Sequence, residues 1–174
     1  MASEIVGIMD MDGFVVGKKK FYCKELGLLK VGDDTARSYF FDMGIHWSSL
    51  SEKDRRSCAY VIRHVHKLPF GVPDGVKAHN LLKLEQIVSE FYYEARRGEG
   101  SMIAYKGGHF EKDLLVKLGI PSVNLERLGC PKAGELMKDM IWLETCGKHV
   151  VADAYLHCPK VEVEAYAQWM EKML

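Results

Sequence analysis

The chain has 174 residues, 48% of them hydrophobic, and its 24 Lys+Arg balance its 24 Asp+Glu. That apolar content suits one compact domain with a full core, so residues 1–174 are read as a single domain. The even charge excludes a global basic field for polyanions, and no apolar stretch is long enough to span a bilayer, so no membrane partner is expected.

The first predicted element is a strand over 5–12, ending Met9-Asp10-Met11-Asp12-Gly13. Side chains alternate along a strand, so Asp10 and Asp12 share one side. Two carboxylates that close repel unless a proton or cation neutralises them, and a divalent ion with oxygen ligands is the simplest answer. After a Gly/Lys turn, Phe21 to Val31 predicts a second strand, Gly32-Asp33-Asp34 a turn, and Ala36 to Phe41 a third strand. The connections are too short for parallel crossovers, so this meander is expected to be antiparallel. Ser51 reads as the N-cap of a helix running to about His66. A loop at Pro69–Gly75 leads to a helix over 78–97, with Leu81, Leu84, Ile87, Val88, Phe91 and Tyr92 on one stripe. Short strands are predicted at 101–105 and 122–125, flanking a helix at 110–118. Further helices are predicted at 131–139, 148–157 and 161–173.

Five cysteines, an odd number, argue against a disulfide framework. Met1-Ala2-Ser3-Glu4 does not open a signal peptide, so an intracellular location, cytoplasmic or nuclear, is expected. Cys146, His149 and Cys158 make a C-x2-H-x8-C pattern with zinc-like donors, and Cys130 and His157 are substitute ligands. Lys18-Lys19-Lys20, Arg55-Arg56 and Arg96-Arg97 are read first as solvated surface. Lys106 reads as a loop lysine, His109 as a surface loop residue, and Tyr39-Phe40-Phe41 as part of a buried strand.

The element order, three strands, helices, strand, helix, strand, helices, resembles the ribonuclease H-like fold. That resemblance implies an α/β domain with a mixed central sheet, three antiparallel strands plus two parallel, and helices on both faces. Within it, the motifs are similar to those of the DEDD-type 3′–5′ exonuclease superfamily. Asp10-x-Asp12 resembles its first motif, with Asp where Glu is usual, and Phe21–Val31 resembles the strand that follows. Gly108-x-Phe110-Glu111 resembles a form of the second motif that uses Glu where most members use Asp; Asp113 is the fallback. His149-Val150-Val151-Ala152-Asp153 resembles the third motif, one residue short in its spacing. The resemblance implies that Asp10, Asp12, Glu111 and Asp153 hold two Mg²⁺ or Mn²⁺ ions and act on single-stranded nucleic acid, RNA favoured over DNA.

Glu25, Cys146, His149 and Cys158 are similar in type and order to the Glu-Cys-His-Cys zinc set of the Maelstrom domain, which implies a structural zinc. As a zinc ligand, His149 cannot easily also serve as a general base, because the metal takes the lone pair a base would use. Two alternatives stand beside the nuclease. One is a Maelstrom-like module that binds RNA or protein without turnover. The other is a haloacid-dehalogenase-like phosphatase, whose opening Asp-x-Asp-Gly resembles Asp10-Met11-Asp12-Gly13.

Overall fold

A computed structural model describes residues 4–138, 143–150 and 157–174. The apolar opening run folds as one long strand, β1 (Ile5–Val16), which turns back through Gly17–Lys19 into β2 (Lys20–Lys30). Gly17 and Lys19 take positive φ of 66° and 60°, which lets the chain reverse this tightly. β1 outruns its expected end at Asp12 because pairing continues past a bulge between Asp12 and Gly13, as far as Val16 opposite Lys20. β3 (Arg37–Asp42) pairs antiparallel with β2, completing the expected meander.

A two-residue strand, β4 (His79–Asn80), runs parallel to β3 inside the segment expected to be helical from 78. The Asn80 side chain accepts the Leu82 amide at 3.0 Å. This local bond competes with helix propagation and delays α2 to Leu84–Ala95. β5 (Met102–Tyr105) and β6 (Ser122–Asn124) run parallel to β1. The result is a six-stranded mixed sheet in the order β4-β3-β2-β1-β5-β6.

α1 (Glu52–His64) starts where its cap chemistry places it, with Ser51 accepting the Asp54 amide at 3.1 Å. α3 (His109–Lys117) follows β5, and α4 is a single turn at Ala133–Leu136 rather than the longer helix expected. Lys148 is not helical, His149 and Val150 form a bend rather than the start of a helix, and 151–156 lie outside the described residues. The last helix, α5 (Pro159–Met173), begins with proline, whose missing N–H costs nothing at that position.

Two cores flank the sheet. Met9 and Met11 point to one, packed with Val88, Phe91 and Leu115 from α2 and α3. Ile8 points to the other, with Val163 and Tyr166 from α5. By strand alternation Asp10 and Asp12 face the α5 side. A Cβ on Gly27, which sits opposite Asp10, would meet the Pro159 carbonyl at 2.5 Å, so glycine lets the first turn of α5 lie on the strand. No helix among the described residues is long and apolar enough to cross a membrane.

Candidate metal centres

The face of β1 turned towards α5 presents carboxylates at the point where α5 begins. Oxygens of Asp10, Asp12 and Glu162 all lie within 4.8 Å of one another. Asp10 is 8% exposed. The Oδ2 atoms of Asp10 and Asp12 are both buried and lack a hydrogen-bond partner among the described residues. Buried polar atoms are almost always satisfied, so a pair of orphans aimed into one space marks a place for a ligand. Glu111, in the first turn of α3, lies beside this group, and its Oε1 accepts the Met11 amide at 3.1 Å.

The charges act on one another accordingly. Burial pushes Asp10 up to about 6. Burial first, and then Asp10, raise Glu111 to about 8. The same two causes, in the same order, lift Asp12 and Glu162 well above the carboxylate range. Acids packed this closely hold protons unless a cation replaces them. Three hard oxygen donors suit Mg²⁺ or Mn²⁺ by type. The cluster opens into a cleft of about 440 Å³, whose walls include Val61, Lys106, Phe110 and Tyr166.

The second centre lies next to the first. Glu25, Cys146, His149 and Cys158 bring one donor atom each within 4.8 Å of one another. Cys146 Sγ donates to Glu25 Oε2 at 2.7 Å, and the Cys146 amide donates to Cys158 Sγ at 3.3 Å. His149 Nδ1–H donates to the His66 carbonyl at 2.5 Å, since a carbonyl can only accept. This fixes the ring so that the buried Nε2, 3.5 Å from Glu25 Oε1 and without a hydrogen-bond partner among the described residues, is the nitrogen aimed at the cluster.

The Cys146 thiol, hydrogen-bonded to Cys158, holds the latter down at about 4. Burial works against a proton on His149, but Cys158 and Glu25 together outweigh it and lift the imidazole to about 10. Two sulfurs, one imidazole nitrogen and one carboxylate oxygen could hold a metal ion such as zinc.

Asp153 lies outside the described residues. Asp113, the fallback for Glu111, is exposed on α3, and His157 is exposed. Cys130 is buried in the apolar core under α5 and is no part of the thiol centre. His109 is exposed as expected and packs against Phe110 at 4.0 Å between ring centroids. Phe40 and Phe41 are core residues. Lys106 differs from a plain loop lysine: its side chain is 9% exposed and pairs with Glu126 at 3.5 Å.

Sequence reasoning missed Glu162. Its only sequence mark is its position four residues after Cys158, one helical turn along the same face. Compared with protein-family models and with curated proteins, the chain matches none.

Proposed function

We propose that the protein is a metal-dependent nuclease of ribonuclease H-like fold, a 3′–5′ exonuclease on single-stranded nucleic acid, RNA favoured, with a structural zinc. The observation that carries this reading is the pair of buried aspartate oxygens, without hydrogen-bond partners among the described residues, that meet Glu162 in the lining of an open cleft. The sheet order, with an antiparallel meander beside two strands parallel to β1, supports the fold assignment.

Asp10, Asp12 and Glu162 would hold the divalent ions, Mg²⁺ or Mn²⁺. Such ions lower the pKa of a water and stabilise the oxygen leaving a phosphodiester. Glu111 braces Met11, between the two aspartates, and adds negative charge beside the site. Lys106 gives the cleft wall a cation that can meet a phosphate. Phe21 and Phe110, stacked at 4.2 Å, offer an apolar wall for a base. His149 is committed to the thiol centre, so no proton transfer is assigned to it. The phosphatase reading finds less support, because the acidic strand leads straight into an antiparallel hairpin with no crossover helix.

A second reading keeps the fold and the zinc but not the turnover, as a Maelstrom-like binding module. It draws on Glu111, which stands outside the tight three-carboxylate group. The test is loss of a 3′-labelled single-stranded oligonucleotide with Mn²⁺. The nuclease reading expects shortening that Asp10→Ala abolishes by at least a hundredfold. Binding without shortening in Mn²⁺ would favour the module instead.

A further inference from the structure

We propose that the thiol–imidazole centre positions the acidic site, so that filling one with zinc tightens the binding of a divalent ion at the other. This rests on the metal-nuclease reading above and adds a dependence that the reading does not require. Cys158 and His66 are the positioning residues.

Three connections carry it. The first is α5 itself. Cys158 is its N-cap, and the Glu162 amide donates to the Cys158 carbonyl at 2.9 Å. One helical turn therefore joins a thiolate of one centre to a carboxylate of the other. Gly27 is the floor on which that turn rests. The second is the β1–β2 register, in which Glu25 stands directly opposite Asp12. Both residues lie on the face turned towards α5, so fixing Glu25 fixes the strand beside Asp12.

The third connection is the loop after α1. His149 holds the His66 carbonyl, while His66 Nε2–H donates to the Gly13 carbonyl at 2.8 Å, just past the bulge that follows Asp12. His66 Nδ1 accepts the Leu68 amide at 3.0 Å, which locks the ring in this tautomer. The loop is pinned further along, where buried Lys24 donates to the Phe70 carbonyl at 2.8 Å. A metal drawing Glu25, Cys146, His149 and Cys158 together thus pulls on β2, on the start of α5 and on the end of the acidic strand at once.

Coupling of this kind is reciprocal, so it can be read from either ion. The experiment uses the zinc-loaded chain and measures zinc affinity by equilibrium competition with a chromophoric chelator, with and without saturating Mn²⁺. Mn²⁺ occupancy is followed separately by the loss of its free electron-paramagnetic signal. We expect bound Mn²⁺ to raise zinc affinity at least tenfold. In Glu162→Ala, at Mn²⁺ concentrations that load the Asp10–Asp12 pair, the gain should fall below twofold.

An unchanged zinc affinity with Mn²⁺ demonstrably bound overturns the coupling and leaves the nuclease reading standing. A gain that persists undiminished in Glu162→Ala overturns it too, since attraction between the two charged centres would then explain the effect without α5. Failure of the wild-type chain to bind Mn²⁺ at all sinks both.

Discussion

Asp10 shows what the acidic site costs the fold. Its carboxyl is pushed up to about 6 by burial, and Glu111 to about 8 by burial and by Asp10. Between the ordinary carboxylate value of 3.8 and about 8, the folded chain therefore keeps protons that the unfolded chain has released. Stability falls as pH rises through that window and is highest below it. Asp10→Asn removes the Asp10 share. In metal-free protein, the variant is expected to be more stable than wild type at pH 8 by up to about 3 kcal/mol. At about pH 4, near the ordinary carboxylate value, most of the gain should be gone. Urea unfolding at the two pH values checks this, and a variant less stable at pH 8 would contradict it. Saturating Mn²⁺ at pH 8 should reverse the order, because only the wild type keeps both aspartates as ligands.

At the scale of elements, the site is made where α5 meets β1 and β2, and Gly27 sets that distance. A methyl group there would face the Pro159 carbonyl at 2.5 Å, so backbone has to move. Gly27→Ala is expected to destabilise the chain by roughly 1–3 kcal/mol, as overpacking does. It should also weaken Mn²⁺ binding at least fivefold, although it removes no ligand. Unaltered Mn²⁺ affinity in a destabilised variant would show that the seat of α5 does not govern the site.

This junction also marks how far the sequence can be read. Asp10 and Asp12 are legible because strand alternation is local, and the three-strand meander because short turns leave one topology. The Cys146, His149 and Cys158 cluster is legible because its donors sit close in the chain. Glu162 is not, because nothing in its own neighbourhood separates it from a solvated helix glutamate until the helix is laid on β2. Lys106 reads as a loop residue for the same reason: its partner Glu126 is brought alongside by a later segment. β4 escapes notice because two residues carry no periodicity, and because Asn80 breaks the helical pattern with its side chain rather than with a proline or glycine.

At the scale of the molecule, one sheet divides the work. The face covered by α2 and α3 is apolar from Met9 through Phe91 to Leu115 and gives the strands their stability. The opposite face carries Ile8 and Leu29 under α5, then gives way along the same two strands to Asp10, Asp12 and Glu25. Charges so placed are tolerated because they sit at the end of the core, where the cleft opens and cations can reach them. The two donor sets differ in chemistry, hard oxygens in one and sulfur with imidazole in the other, and this would separate the ions bound there although the two sets meet at the start of α5.

The most direct test is anomalous diffraction from crystals soaked in Mn²⁺, recorded at the manganese and zinc absorption edges. The account expects manganese density among Asp10, Asp12 and Glu162, and separate zinc density among Glu25, Cys146, His149 and Cys158. Zinc density with no manganese beside Asp10 and Asp12, in crystals where Mn²⁺ is bound elsewhere or not at all, would contradict it.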